Sequence, residues 1–185
     1  MLQRGWALTD AIDISRREDD KSMLLFRRCV PTTATIACIC LTSTDHLRLI
    51  DFSSEDERIL KTCIMENYLP GVKELETTEF CLGTEGKSVR FELKGSPWSS
   101  WDWGLHARSL LLHLFAAAFS LGFQIVASAD VSSKYATDGD GNPEHPLDVH
   151  SIYLVKMPPQ GKGVFDSIRQ TVNEFSLPSY EEAMK

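Results

Sequence analysis

Hydrophobic and polar residues follow two different periods along this chain, which predicts a mixture of strands and helices. Residues 35–41 are almost continuously apolar, which is typical of a strand buried on both faces. A turn at residues 43–46 and a second strand at residues 47–52 follow. Residues 87–94 alternate apolar with polar side chains, and this period of two predicts a half-buried strand.

Three other segments repeat their apolar residues at helical spacing. Ser54 and Glu57 match a capping box, and the positions after them predict a helix at residues 55–68. Residues 105–121, rich in Leu, Ala and Phe, predict a largely buried second helix. A third, amphipathic helix is predicted at residues 163–175. Its apolar positions are Val164, Phe165, Ile168, Val172 and Phe175.

An internal repeat emerges when residues 5–27 are laid over the segment from 122 to 156. Gly5 then falls on Gly122, and each copy predicts a strand, a polar connection and a second strand. The connection of the second copy is expected to be a long polar loop, because insertions concentrate in surface loops. A predicted helix precedes Gly122, whereas only four residues precede Gly5, so we interpret the first copy as N-terminally truncated.

Together these elements predict an α+β fold, a mixed sheet with about three helices packed against it. We expect a single domain over residues 1–175, in which residues 1–52 form the partial repeat and residues 53–157 the fuller one. The helix at 163–175 closes this domain, and residues 176–185 are expected to be a flexible tail. A first hairpin without its preceding helix should leave apolar surface or an unpaired strand edge. The third helix, or self-association, would cover it.

Charge and hydropathy narrow the class of protein. The formal net charge of −7 and the pI near 5.2 argue against a protein that holds nucleic acid by neutralising phosphates. No apolar run reaches the roughly 18 to 20 residues that span a bilayer, and the N-terminus lacks the pattern of a signal peptide. We therefore expect no membrane partner and a cytoplasmic location, with the nucleus as the alternative.

Neither cysteines nor acidic loops indicate a metal or a cofactor. The five cysteines form an odd set without a C-x-x-C pair, which favours neither a disulfide framework nor a zinc site. The acidic loop beginning at Asp138 resembles a calcium loop, but Pro143 and Val149 occupy the positions where an EF-hand needs Gly and Glu. We expect no cofactor and no metal ion.

A cluster of tryptophans precedes the second predicted helix. Such a loop could hold a planar or apolar ligand by stacking, around a pocket between the two halves of the chain. The interpretation that we favour is that the rings pack beneath the helix and that Asp102 caps it. The candidate ligand-binding residues under the first interpretation are Trp98, Trp101, Trp103, His106, Arg108 and Asp130.

The C-terminal tail contains a short motif of its own. Leu177, Pro178 and Tyr180, followed by Glu-Glu-Ala, resemble the LPxY and PPxY peptides that WW domains read. The resemblance covers these few residues only. It implies a protein partner with a WW domain, such as a ubiquitin ligase, because the aromatic groove of that domain takes the Pro and a second pocket takes the Tyr.

No nucleophile elbow, protease-type cysteine or phosphate-binding loop occurs in the sequence. The chain therefore predicts a non-enzymatic intracellular protein-interaction or adaptor domain, with the tail recruiting a WW-domain protein. The alternative is a small-molecule-binding protein or an enzyme of unfamiliar type that uses the tryptophan loop. Unrelated folds can assemble an active site from residues distant in sequence, so this alternative stays open.

Overall fold

A computed structural model describes residues 1–14, 21–81, 85–99, 102–131, 135–137, 143–146 and 148–156, and within them the chain is α+β. It opens with a 3-10 turn, Leu2–Arg4. The strands and helices that follow in chain order are β1 (Trp6–Ile12), β2 (Met23–Arg28), β3 (Thr35–Thr42), β4 (His46–Ile50), α1 (Ser54–Asn67), β5 (Val72–Cys81), β6 (Glu85–Leu93), α2 (Gly104–Ser120), β7 (Phe123–Ala129), β8 (Tyr135–Thr137), β9 (Pro143–Pro146) and β10 (Asp148–Lys156).

The strands form one large sheet and two small ladders. The large sheet has six strands in the order β5-β6-β4-β3-β10-β7, and β1-β2 and β8-β9 are separate two-stranded ladders. Every neighbouring pair of the six-stranded sheet is antiparallel, so the expectation of a mixed sheet was wrong. Sequential strands joined by short turns, as at β3-β4, favour this arrangement.

Both helices pack on one face of the six-stranded sheet, and the hydrophobic core lies between the helices and the sheet. The alternating residues Val89, Phe91 and Leu93 of β6 are almost fully buried there, which confirms the half-buried strand predicted from their spacing. Phe52 and Phe123 meet edge to face with ring centroids 5.1 Å apart, which joins the strand end before α1 to β7.

Both helices begin and end within one residue of the predicted bounds, but their N-caps differ from the predicted ones. Helix α1 runs from Ser54 to Asn67, and its N-cap is Ser53, whose hydroxyl accepts a hydrogen bond from the Asp56 amide at 3.1 Å. The capping pair therefore lies one residue before the predicted Ser54–Glu57 box. Helix α2 has Trp103 at its N-cap without a side-chain cap, so the expected capping by Asp102 was wrong.

The expected helix count and the internal repeat are not supported. The described residues contain two α-helices, and the third predicted helix at 163–175 lies outside them, as does the tail. Both hairpins exist, but β1 pairs Ile12 with Met23, whereas β7 pairs Ala129 with Ser151. The overlay, which requires an insertion in the connection of the second copy, equates Met23 with Ile152, so the second strands are out of register by one residue.

Two pieces of strand were not predicted. The edge strand β5 carries mostly polar residues and gives little hydrophobic signal. The expected long polar loop between β7 and β10 contains the short β8-β9 ladder. Neither helix in the described part of the chain is long and apolar enough to cross a membrane.

Candidate binding site

An apolar pocket lies between the β1-β2 hairpin and the six-stranded sheet near its β7 edge. Its volume is about 620 Å³, which is within the usual range of ligand pockets, roughly 300 to 1,000 Å³. We call this cavity the hairpin pocket. Its main apolar lining residues are Trp6, Leu8, Leu24 and Phe26 from the hairpin, and Ile36, Ile125, Val126, Tyr153 and Val155 from the sheet.

Backbone contacts hold the hairpin at this place. Gly5 adopts a left-handed conformation, with φ of +77°, and its carbonyl accepts a hydrogen bond from the Cys29 amide at 2.9 Å. A Cβ atom at residue 5 would lie 2.8 Å from the Cys29 carbonyl oxygen, so a side chain here would be strained both by φ and by contact. The close approach of the two chain segments therefore depends on a glycine.

The other end of the hairpin is joined directly to the six-stranded sheet. The Ser22 amide donates to the Asp130 carbonyl at 2.9 Å, and the Asp130 amide donates to the Ser22 hydroxyl at 3.1 Å. This reciprocal pair connects the residue before β2 with the residue after β7. Strand β1 lies beside β7 along this edge, although its own ladder partner is β2.

On the sheet side, strand alternation decides which residues reach the pocket. Leu154 on β10 points into the core beneath the helices, so its neighbours Tyr153 and Val155 lie on the opposite face. Val155 pairs with Ile36 of β3, and both residues line the pocket. One strand thus contributes to the folding core with one row of side chains and to the pocket with the other.

The pocket keeps much of its apolar surface open. Trp6 and Ile36 are each 45% exposed and Phe26 is 38% exposed, whereas the core residues beneath the helices are nearly inaccessible. A contiguous apolar surface of this kind on a folded protein marks a place that meets an apolar group from elsewhere. The hairpin does expose apolar side chains, but the internal repeat from which this expectation was drawn is not supported.

The polar side chains among the described lining residues are Thr9, Arg27, Cys29, Thr32 and Tyr153. The Thr9 hydroxyl donates to the Leu25 carbonyl at 3.2 Å. Arg27 is the one charged side chain among the described lining residues, which include no carboxylate and no imidazole. Of the lining residues, Cys29 and Tyr153 belong to the residue types that serve as general acids or bases. The described residues contain no cluster of His, Cys, Asp or Glu that could hold a metal ion.

The tryptophan loop lies apart from this pocket. The indole Nε1 of Trp98 donates to the His46 carbonyl at 2.9 Å, and the backbone amide of Trp98 donates to the Thr44 carbonyl at 3.2 Å. The ring itself is partly buried and packs against the hydrophobic core. These contacts fasten the loop to the β3-β4 turn, which is the packing role that the sequence favoured.

The other tryptophan-loop residues are distributed along α2 and the sheet end. Trp103 packs its ring against Gly95, where an added Cβ would lie 2.6 Å from Cδ2, and its ring centroid is 6.1 Å from that of His106. Arg108 is exposed on α2, and Asp130 lies at the hairpin junction. Trp101 lies outside the described residues, as do Leu177, Pro178 and Tyr180 of the tail. None of the described members of this set lines the hairpin pocket.

A small cluster of charged side chains lies near the β5 edge of the six-stranded sheet, at the opposite edge from β7. The Lys73 ammonium lies 2.9 Å from an Asp45 carboxylate oxygen and 3.0 Å from one of Glu92. These two hydrogen bonds raise the pKa of Lys73, because they favour its charged form. Burial, with a contribution from the charge of Asp45, raises the pKa of the nearby Tyr68 phenol, whose hydroxyl donates to the Lys94 carbonyl at 2.6 Å. We assign this cluster a structural role, since its groups satisfy one another.

Sequence reasoning identified the uncovered hairpin but not the residues that line the pocket. Leu8, Phe26, Ile36, Ile125 and Val155 are distant from one another along the chain, and each is an ordinary strand residue in its own segment. Only the pairing of β10 with β3 and β7 brings them together. No linear signal in the sequence marked the pocket.

Comparison with known proteins adds a family but no activity. The model of one domain family, whose description states no activity, matches residues 35–155. The match begins with β3 and ends within β10, so the β1-β2 hairpin precedes the matched region. No curated protein and no solved structure matches the chain.

Proposed function

The chain belongs to that domain family, and from this premise we propose that it is a non-enzymatic intracellular protein-interaction domain whose hairpin pocket receives an apolar segment of a partner. The observation that carries the proposal is the open apolar cavity of about 620 Å³ between the hairpin and the sheet. A cavity of this size takes several side chains at once, and its half-exposed lining gains burial only when something enters it.

The chemistry of the lining supports binding of a protein segment. Aromatic side chains such as Trp6 and Phe26 contribute large contact area, and Arg27 at the wall offers an anchor for one acidic group. Apolar pockets with a few polar groups of this kind receive the anchor residues of partner proteins. The described lining is predominantly apolar, which favours binding of an apolar segment.

The C-terminal tail supplies a second contact in this proposal. Leu177, Pro178 and Tyr180 would bind a WW-domain protein, and the pocket would hold a different partner, which together make an adaptor. The two contacts are separable by mutation, since one depends on Tyr180 and the other on the pocket lining. If the partner that enters the pocket is a second copy of the chain, the proposed interaction is self-association through the exposed hairpin.

A small-molecule ligand is the second candidate function. The volume of the hairpin pocket favours it, because drug-sized apolar ligands occupy cavities of about this volume. The residues involved would then be those of the pocket. The tryptophan loop, from which this alternative was first drawn, has Trp98 and Trp103 packed against the core and Gly95.

Affinity capture with matched variants tests the proposal. The intact chain is immobilised beside Phe26→Asp, which places a charge in the pocket, and beside Leu105→Asp, which alters an exposed apolar residue of α2, 74% exposed, outside the pocket. We expect the intact chain and Leu105→Asp to retain the same proteins and Phe26→Asp to lose a specific subset. A Tyr180→Ala variant should lose WW-domain proteins only.

Two results would contradict the proposal or redirect it. If Phe26→Asp retains every protein that Leu105→Asp retains, the pocket is not a protein-binding site. Native mass spectrometry of the chain isolated from cells then distinguishes a bound small molecule from an empty pocket. If Tyr180→Ala changes nothing, the WW-ligand proposal is wrong, whatever the pocket binds.

A further inference from the structure

Strand β10 ends at the mouth of the hairpin pocket. Its last residue is Lys156, and the preceding residue, Val155, lines the cavity and is buried. The Lys156 ammonium turns to the helix side of the sheet, where it contacts both carboxylate oxygens of Asp56 at 3.0 and 3.1 Å. The chain from residue 157 onward therefore begins beside the pocket, at a point fixed by an ion pair.

The sequence that follows carries an apolar stripe of the right kind. In residues 163–175 the apolar positions recur at helical spacing and fall within an arc of about 100° on a helix of 3.6 residues per turn. Gln170 lies on the opposite side of the same helix. A helix of this length measures about 20 Å, comparable with the span of a six-residue strand. The apolar stripe consists of Val164, Phe165, Ile168, Val172 and Phe175.

The connection is long enough to bring this stripe back to the pocket. Residues 157–162 span up to about 20 Å when extended, at roughly 3.3 Å per residue. They include Pro158, Pro159 and Gly161, which favour an extended stretch followed by a turn and disfavour continuation of a strand. A segment that starts at the mouth of a pocket and has this reach meets the pocket at high effective concentration.

Charge is also complementary. Arg27 lines the pocket, and Arg28 and Arg4 lie within two residues of other lining residues, Cys29 and Leu2, although the whole chain is acidic. Residues 163–175 contain Asp166 and Glu174 against a single Arg169, a net charge of −1. Carboxylates in this segment would meet guanidinium groups at the rim, and apolar side chains would meet the lining.

We infer that residues 163–175 of this chain form a helix that docks by its apolar stripe into the hairpin pocket. The inference rests on the proposed function in one respect, since the partner segment would have to displace this helix to bind. The LPxY motif begins two residues after the helix, so docking holds the tail against the domain and displacement frees it. A partner segment that enters the pocket thereby makes the LPxY motif accessible to a WW domain.

Site-specific crosslinking in the full chain tests this docking. Cys29 is a free cysteine that lines the pocket, so a second cysteine placed on the stripe by Ile168→Cys should be joined to it by a short bismaleimide. Gln170→Cys is the matched control, because it lies in the same segment on the opposite side. We expect a several-fold higher yield of the Cys29-to-168 product, identified by peptide mass spectrometry. Equal yields from the two variants would overturn the inference.

Mixing isotopically labelled and unlabelled chains identifies the occupant. Products within one chain type show docking in the same molecule, whereas mixed products would replace the inference by docking of a second copy. A second readout uses the double variant Val164→Asp with Ile168→Asp and the dye anilinonaphthalene sulfonate. Dye fluorescence should rise several-fold over that of the intact chain and fall again when Phe26→Asp is added. Unchanged fluorescence would contradict the inference.

These outcomes are independent of the capture experiment. If the crosslink forms but Phe26→Asp loses no partner, the helix docks as a permanent part of the fold and the proposed interaction function fails. If the crosslink is absent but Phe26→Asp loses partners, the proposed function stands and the docking inference fails.

Discussion

The two sides of β10 differ in how completely they are covered. Toward the helices, Leu154 is fully buried and belongs to a core closed by α1 and α2. Toward the hairpin, Tyr153 and Val155 face a cavity whose opposite wall includes the half-exposed Phe26. The side chains of β10 are therefore fully covered on the helix side of the sheet and only partly covered on the hairpin side. The difference shows that alternate residues of one strand meet two sides that are covered to different extents.

The physical reason lies in the kind of element that covers each side. Helix α1 buries Leu60 and Ile64, and α2 buries Ala107, Leu110, Leu114 and Ala118, whereas a two-stranded hairpin offers one row of residues per strand. An isolated hairpin is only marginally stable in water, so it depends on the few contacts at Gly5 and Ser22 for its place. Apolar area left open there becomes available to another segment.

The largest effect should come from substitutions that compare the two sides directly. Leu114→Ala on α2 removes a fully buried side chain and should lower the free energy of unfolding by about 2 to 5 kcal/mol. Phe26→Ala, at a side chain that is 38% exposed, should cost about 1 to 2 kcal/mol, since only part of its apolar area is buried. Urea unfolding followed by circular dichroism measures both. Equal losses would show that the hairpin side is as complete as the helix side.

A smaller effect should follow from loosening the attachment of α2. Gly95 has φ of +83°, and an added Cβ would lie 2.6 Å from the Trp103 ring, so Gly95→Ala should destabilise the fold by about 1 to 3 kcal/mol. Gly104→Ala is the control, because an added Cβ meets no atom within 4 Å there. That change should be neutral or slightly stabilising in a helix. Thermal unfolding of the two variants distinguishes them, and a neutral Gly95→Ala would mean that Trp103 does not anchor the helix.

The ion pair at the end of β10 should contribute less than the packing beneath α2. Lys156→Met leaves the buried Asp56 carboxylate without its cation, although the Ser53 hydroxyl still donates to it at 2.8 Å. We expect a loss of about 1 to 2 kcal/mol in the free energy of unfolding. Lys94→Met, which alters an exposed lysine, should change it little. Similar effects of the two substitutions in urea unfolding would argue against a role for the pair in fixing the pocket mouth.

The smallest effect should come from the exposed charge cluster at Lys73. Because the pKa of Lys73 is raised in the folded state, its contribution is fully present below its unfolded value of 10.5 and is lost as the pH rises through the folded value. The ammonium is 42% exposed, so Lys73→Met should cost only about 0.2 to 1 kcal/mol at neutral pH. Unfolding measured against pH at low salt checks this. A difference that persists well above the folded pKa would exclude the ion pairs as its cause.

The local periodicity of apolar residues predicted most of the helices and strands of the main sheet. The spacing in α1, α2 and β6 predicted these elements to within about two residues, because burial of one face repeats along each element. Strand β5 gave no such signal, since at the sheet edge only Val72 and Leu75 pack against the core among its described side chains. The one-residue difference between the hairpin registers is already present at the pairs nearest the connection, Ile12 with Met23 and Ala129 with Ser151, and an overlay of sequences carries no information on strand pairing.

The candidate site was less accessible to sequence reasoning. The clustered tryptophans predicted a ligand site as one of two alternatives, but the Trp98 indole donates its hydrogen bond to the His46 carbonyl. Ile36 and Val155 meet only through the β3-β10 ladder, and Phe26 faces them only because the hairpin is folded back along β7. A pocket made by tertiary pairing has no linear motif. What the sequence did indicate was the consequence, an apolar hairpin that lacks a cover.

Photocrosslinking from the pocket tests the central claim most directly, namely that an apolar segment occupies the hairpin side of the sheet. Benzoylphenylalanine is incorporated in cells at position 26 and, in a control chain, at position 105 on the exposed face of α2, and the products are identified by mass spectrometry. The account predicts abundant products at position 26 that map to residues 163–175 or to an apolar segment of a partner protein, and only background at position 105. Background yields at both positions would contradict it.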